Sequence, residues 1–406
     1  MKKDDVLETL GAWREEFTAI RRAIHAWPEL AFEEVRTADT VARLLESWGI
    51  ETHRGLGITG VVGRITGRAP GGSIGLRADM DALPMGESNT FAHASRNPGV
   101  MHACGHDGHT AMLLAAARHL ALDRGFEGTV HVIFQPAEEG QGGARQMIED
   151  GLFERFPMDA VFGMHNWPGI PAGAFALTAG PIMASSNSFE VIITGRGAHG
   201  AMPHLGADPV IAAAQLTLAY QGILTRDLDP LEPAVISVTQ IHTGTADNVI
   251  PDQAILRGTV RTLSDGALDL IEARMGDITR GVGDALRCAT DFRFDRSYPA
   301  TVNHPAEAAF CAGVLRELVG AQHVQTDVRP SMGAEDFAFM LQARPGCYVW
   351  IGNGGGDHRD AGHGLGPCTL HNGSYDFNDD LIALGAAYWV MLAHRWPGRR
   401  QPQPPS

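Results

Sequence analysis

From residue 60 to residue 166 short apolar strands alternate with helices, and that alternation constrains the fold of this chain more than any other feature. Strands are expected at 60–65, 73–78, 129–134 and 160–164, with an Ala/Leu-rich helix at 111–122 and another at 143–150. Buried strands separated by helices predict a mostly parallel sheet flanked by helices, an α/β layer whose functional groups gather past the carboxyl ends of the strands. Asp79, Glu138, Glu139 and His165 all fall just past such ends. Ahead of this block, residues 5–23 carry Val6, Leu7, Leu10, Phe17 and Ile20 at helical spacing, closed by Pro28. A second helix fits 37–48 and is stopped by Gly49.

Near residue 185 the grammar changes. A strand at 188–194, a helix at 208–226 with Asp208 as N-cap and Pro209 in its first turn, strands at 234–241 and 254–263, a helix capped by Ser264 and running to about 288, and a strand at 291–295 follow in order. That β-α-β-β-α-β order is ferredoxin-like. Helices at 305–319, 334–341 and 378–394 and a strand at 347–351 then resume the first pattern. A chain of 406 residues exceeds one ordinary core. The reading is therefore a larger α/β domain in two segments, 1–184 and 299–406, interrupted by a small inserted domain, 185–298. Hinges are expected near 184–185 and 298–299, and the Pro-rich tail 398–406 is expected to lack order.

Composition excludes some functions. A formal charge of −15 argues against nucleic acid or an anionic membrane as partner. No apolar run is long enough to span a bilayer, and the charged amphipathic start lacks a signal-peptide core, so a cytoplasmic enzyme is expected. Five cysteines, odd in number and widely spread, do not make a disulfide framework, which leaves Cys104 free to act as a ligand.

The chemistry concentrates in Met101-His102-Ala103-Cys104-Gly105-His106-Asp107-Gly108-His109-Thr110. Cys104 and His106 flank one glycine, so both could face one ion; the alternative is a buried thiol beside a capping histidine. His102 and His109 read better as orienting or capping groups. Glu138-Glu139 directly follows a buried strand, a costly place for two like charges without a cation, and one could bind metal while the other reaches water. His165 and His371 are weak candidates when taken singly. Gly71-Gly72-Ser73-Ile74-Gly75 has the nucleophile-elbow spelling with its strand on the wrong side of the serine. Gly195 to Gly200 spells a dinucleotide fingerprint, but the following helix starts too late. Trp167, Phe337 and Phe339 suggest an apolar lining.

Taken together, RADMDALP, HACGHDGHTAMLL, FQPAEEGQGGARQMIEDG, GMHNWPG, GRGAHGAMPH, DNVIP with RGTVR, MGAEDF, LHNGSYDFND and the amino-terminal HAWPELAFEE resemble the M20 metallopeptidase/amidohydrolase family over essentially the whole chain. The similarity is to the branch of that family, its subfamily D, that contains hippurate hydrolase and indole-acetyl-amino-acid hydrolases. The resemblance implies a Zn-peptidase-like catalytic α/β domain with a binuclear site, and a lid and dimerisation role for the inserted domain. It implies Cys104, His106, Glu139, His165 and His371 as metal ligands and Glu138 as general base. His199 of the lid would stabilise an oxyanion, often from a partner subunit, and Asn248 and Arg261 would engage the substrate backbone and carboxylate. Cys104 stands where most of the wider family has a bridging aspartate, and Arg77 where it has a ligand histidine.

The implied activity is metal-dependent hydrolysis of an N-acyl amino acid, of hippurate, N-acetyl or aryl-acyl type, to a carboxylic acid and an amino acid. Two divalent ions are implied, Mn²⁺ or Zn²⁺ first and Co²⁺ or Ni²⁺ next, in a homo-oligomer, dimer or tetramer, formed through the lid. The alternatives are a carboxypeptidase or dipeptidase of the same family, a non-catalytic metal or amino-acid binding protein on this fold, and a structural zinc protein.

Overall fold

The computed structural model describes residues 2–359 and 361–396; the tail at 398–406 lies outside them. The chain divides into two compact units, Met1–Gly180 with Val302–Arg329 and Asp336–Ser406, and Pro181–Thr301 with Pro330–Glu335. The inserted segment, drawn at 185–298 from the sequence, thus begins at Pro181, ends at Thr301 and gains the return Pro330–Glu335.

In chain order the elements are α1 (Lys3–Ala12), α2 (Arg14–His25), α3 (Val35–Ser47), β1 (Glu51–Leu56), β2 (Gly60–Thr66), β3 (Ala69–Asp79), α4 (His106–Leu122), β4 (Glu127–Gln135), α5 (Gly143–Glu149), α6 (Leu152–Arg155), β5 (Ala160–Pro168) and β6 (Phe175–Ala176). Then come β7 (Gly180–Met183), β8 (Ser186–Thr194), β9 (Ala198–His199), α7 (Pro209–Gly222), β10 (Ala234–Thr243), β11 (Val249–Ile250), β12 (Gln253–Thr262), α8 (Asp265–Leu286), β13 (Ala289–Tyr298) and β14 (Thr301–Asn303). The chain closes with α9 (Pro305–Val319), β15 (Val324–Gln325), α10 (Phe337–Ala343), β16 (Gly346–Gly354) and α11 (Leu381–Arg395).

Among the described residues the first unit holds an eight-stranded sheet in the order β1-β2-β4-β3-β5-β16-β6-β15. Its centre, β4-β3-β5-β16, is parallel throughout. The mostly parallel α/β layer read from the sequence is therefore present, with antiparallel strands outside it. Leu76 and Ala78 of β3, Val130, Val132 and Phe134 of β4, Phe162 and Met164 of β5, and Val349 and Ile351 of β16 alternate into one core with α4 and α11. The residues between them, such as Ile133 and Val161, are buried as well, as strands covered on both faces require. Several readings needed correction, among them the helix starts expected at 111 and 378, which fall at His106 and Leu381. The amino-terminal helix is broken at Trp13, and because Val6, Leu10, Phe17 and Ile24 keep helical spacing across the break, periodicity could not reveal it. β1, Glu-Thr-His-Arg-Gly-Leu, was not foreseen, since an edge strand can be polar. The helix expected at 334–341 starts at Phe337.

The second unit has an antiparallel sheet, β10-β12-β8-β13, with α7 and α8 contributing to its core, the ferredoxin-like arrangement. Phe189, Val191 and Ile193 of β8 alternate inward against Leu216 and Tyr220 of α7 and Ile271 and Met275 of α8. The foreseen caps are made: Asp208 accepts from Val210 N and Ser264 from Ala267 N.

In the first unit, α2 buries Arg21 and His25 completely, and buried charges persist only when paired. Arg21 reaches Asp107, Asp376 and Asp379 at 3.3, 3.1 and 2.7 Å. His25 places Nδ1 2.8 Å from Asp107 and Nε2 3.2 Å from Glu87. Burial opposes charge on His25, but Asp107 and Glu87 outweigh it and lift its pKa to about 9. A folded-state pKa above the unfolded value near 6.5 gives stability that is complete below that value and lost as pH rises through about 9. The chain is expected to lose on the order of 3 kcal/mol between pH 6 and pH 9.5 through this group. Urea midpoints at both pH values should show a parental fall that is largely missing from His25→Gln.

Candidate metal centre

Four segments of the first unit converge at the carboxyl ends of its parallel strands. The first is the turn into α4. Gly105 holds φ +91°, and a Cβ there would collide with the Asn166 amide and the Tyr375 hydroxyl, so only glycine lets Cys104 and His106 stand on either side of this turn. The second follows β4, where Ala137 at φ +54° turns the chain and Glu138 and Glu139 come next. The third is His165. It lies inside β5 and not past its end, because the strand continues to Pro168. The fourth is His371, itself at φ +57°, whose amide donates to Ala103 O at 2.9 Å.

Their donor atoms form a closed set. Cys104, His106 and His165 lie within 4.8 Å of one another, as do Cys104, Glu139 and His371, and His106, Glu138 and Glu139. Cys104 Sγ is 3.3 Å from His165 Nε2, and His371 Nε2 is 3.2 Å from Glu139 Oε1. The structure therefore brings together the five residues named as ligands by resemblance, and Glu138 with them.

Second contacts aim these groups. Asp81 was not singled out in the sequence, yet it holds two of the segments: Oδ1 faces His106 Nδ1 at 3.1 Å, and Oδ2 accepts the Glu139 amide at 2.9 Å. With Nδ1 directed to Asp81, His106 keeps a buried Nε2 that makes no hydrogen bond among the described residues. His165 donates from Nδ1 to Asn166 O at 2.6 Å, which leaves Nε2 to face the thiol. His109 orients, as its sequence position suggested, with Nδ1 on Asp79 at 2.6 Å and Nε2 accepting from Asn166 N at 2.9 Å. His102 does not. Neither of its buried ring nitrogens makes a hydrogen bond among the described residues, because Gly105 occupies the cap position. Asp79 also clusters with His106 and His109, but its oxygens are committed to His109 and to Arg77 Nη1 at 2.7 Å.

Charge is strained in this set. Burial, with Glu139, Glu138 and Asp79 close by, pushes the Cys104 thiol well above its usual range. Burial disfavours charge on His106, yet Asp79 and Asp81 lift it to about 10. Burial holds His165 well below the usual imidazole range. A thiol, three imidazoles and a carboxylate, with a His106 Nε2 among them that makes no hydrogen bond among the described residues and faces Asp79 Oδ2 at 3.8 Å, suit a borderline divalent cation that would relieve the crowded negative charge. Of the suggested lining residues, Trp167 stacks on Trp350 with ring centres 4.0 Å apart. Phe337 is instead buried in the interior with the Arg77 guanidinium 5.7 Å from its ring.

His199, Asn248 and Arg261 belong to the second unit. β9 pairs with β11, and Gly200 N donates to Asn248 O at 2.7 Å, so His199 and Asn248 are neighbours. Arg261 is half-buried on β12 and reaches Ser185 O at 3.5 Å.

A parallel sheet with such a ring at its strand ends suits metal-assisted hydrolysis. Residues 75–395 match the model of peptidase family M20/M25/M40. The chain is 41% identical over 381 residues to hippurate hydrolase of Campylobacter jejuni, covering 94% of this chain and 96% of that one. It is 39% identical over 387 residues to thermostable carboxypeptidase 1 of Saccharolobus solfataricus, covering 94% and 95%. The solved structure of the Bacillus subtilis protein YXEP, described as a dinuclear metal binding peptidase from the M20 family, superposes with a TM-score of 0.81 at 33% identity, covering 94% of this chain and 98% of that one. The chain belongs to peptidase family M20/M25/M40, and it is a hydrolase of amide bonds.

Asp81→Ala frees both His106 and the Glu139 backbone. Affinity for a divalent metal should drop by about 10–100-fold, read by chelator competition.

Proposed function

We propose that this protein is a metal-dependent amidohydrolase that cleaves N-acyl amino acids, with Cys104, His106, Glu139, His165 and His371 holding the metal and Glu138 as general base. The observation that carries the reading is the position of Glu138, buried and grouped with His106 and Glu139 while Asp336 N lies 3.4 Å from its Oε1. A divalent metal, when bound, acidifies water and polarises the acyl carbonyl. Glu138 takes the proton of the attacking water and returns one to the departing amine. Two ions are favoured because Cys104 is shared by two of the three-residue groups. Mn²⁺ or Zn²⁺ is proposed first, and Co²⁺ or Ni²⁺ next.

His199, Asn248 and Arg261 are proposed to act on the substrate. His199 Nδ1 accepts from Ala201 N at 3.0 Å, so the proton of the neutral ring sits on Nε2, the donor form that an oxyanion requires. Arg261 suits a bidentate grip on a free α-carboxylate. Asn248 is proposed to meet the substrate backbone. A homo-oligomer formed through the second unit fits the exposed Ile211, Leu218 and Ile241 there. No helix among the described residues is long and apolar enough to cross a membrane. Five free, buried thiols favour a reducing, cytoplasmic setting.

The similarity to hippurate hydrolase, which is named for N-benzoylglycine, supports the N-acyl substrate class, and the similarity to a carboxypeptidase keeps peptides as the second reading. Glu138→Ala should lower turnover of N-benzoylglycine by about 10²–10⁴-fold with bound metal unchanged; near-parental turnover with metal in place would sink the base assignment. A panel of N-benzoyl, N-acetyl and indole-acyl amino acids against dipeptides, run with each of the four metals, should favour the acyl compounds. Faster dipeptide cleavage would move the reading to a peptidase.

A further inference from the structure

The amino-terminal motif HAWPELAFEE has no place in the chemistry so far, yet its Glu34 is fully buried. Glu34 sits at the N-cap of α3, where the nearest ready donors are the helix amides, and its side chain ignores them. Glu29 caps that helix instead, accepting from Arg36 N and Thr37 N at 2.9 and 2.8 Å. The Glu34 carboxyl turns elsewhere: Oε1 accepts from Ala137 N at 2.8 Å, and Oε2 from the Thr59 hydroxyl at 2.6 Å. Ala137 is the residue at φ +54° directly before Glu138 and Glu139. A left-handed residue bearing a Cβ reverts to ordinary backbone unless the surroundings hold it. Burying a carboxyl completely is unfavourable, and burial pushes its pKa up to about 7. An apolar residue would fill the space at less cost.

We infer that Glu34 is a positioning residue for the hydrolysis: by accepting the Ala137 amide it fixes the backbone turn from which Glu138 and Glu139 project. This rests on the proposed roles of Glu138 as base and Glu139 as ligand.

The role depends on reach and an acceptor oxygen, not on charge, which separates three variants of the full-length metal-loaded enzyme. Glu34→Gln keeps an oxygen for Ala137 and an amide that can donate to Thr59. Glu34→Asp keeps the charge and falls one methylene short, and Glu34→Ala removes everything. Glu34→Asp and Glu34→Ala should lower kcat on the hydrolysed N-acyl substrate by about 10–100-fold and weaken metal affinity, by chelator competition, within the same range. Their KM should stay within about threefold, and Glu34→Gln should stay near the parent in all three measures. A lower Tm alone, with parental kcat and metal affinity in Glu34→Ala, would overturn the positioning role. So would Glu34→Gln as impaired as Glu34→Asp. If Glu34→Ala does not fold, the contrast between the Gln and Asp variants decides. Parental kcat in Glu34→Asp beside an inactive Glu138→Ala rejects Glu34 alone, whereas an active Glu138→Ala rejects the reading beneath it.

Discussion

The candidate centre depends on one carboxylate that lies outside the proposed ligand set. Asp81 meets His106 with one oxygen and the Glu139 amide with the other, and so ties the start of α4 to the loop after β4. Those segments are neighbours only because β3 and β4 are adjacent parallel strands whose carboxyl ends finish side by side. Three of the four donor segments rest on left-handed turns, and only His165 is held within a strand. Gly105, Ala137 and His371 all have positive φ, and such backbone persists where tertiary contacts over-determine it. Asp81, Asn166 and the Ala103 carbonyl supply those contacts from other segments.

A second layer stands behind the first. Arg77 reaches Asp79, Gln135 and Asp336 at 2.7, 2.8 and 3.1 Å, and Asp336 also accepts from Ala144 N, at the start of α5, at 2.8 Å. This buried network joins β3, β4, α5 and the approach to α10. It fixes the strand ends relative to each other before any ligand group is considered. Arg77, read from the sequence as a departure from the wider family's ligand histidine, serves here as a fully buried hub, and its planar fork suits that task better than a lysine would.

What could be read from the sequence follows from range. Cys104 and His106 were legible because their geometry is local, one glycine apart, and Glu138-Glu139 because a charged pair after a buried strand is anomalous by itself. The ferredoxin-like order was legible from element succession, and the caps at Asp208 and Ser264 from single residues. His165 and His371 were weak candidates singly and gained weight as ligands only through resemblance, since nothing local distinguishes a ligand histidine from a structural one. Asp81 stands in the quoted RADMDALP, but its task appears only when two strand ends are known to adjoin. His102 shows the reverse error. Its neighbourhood of histidines suggested an orienting role, while its ring nitrogens make no hydrogen bond among the described residues.

The thiol at position 104 answers a difficulty that the rest of the ring creates. Glu138, Glu139 and Asp79 already crowd this buried site, and a further carboxylate at position 104 would add a fourth acid that ordinarily ionises near pH 4. Buried among these acids without a cation, Cys104 is held well above its usual range and so remains neutral. Were Cys104 to ligate the ion as proposed, only its thiolate would bind, so the ion's arrival would displace the proton and create the negative charge at the moment when a positive charge is present to compensate it. Before metal binds, the site thereby carries one charge fewer than a carboxylate-bridged site, and the fold need not stabilise the full anionic ring by itself. The same logic accounts for the distribution of the other partners. Arg77 and His109 satisfy Asp79, the acid that lies outside the proposed ligand set, while Cys104, in its proposed ligand role, would form its charge only with the ion.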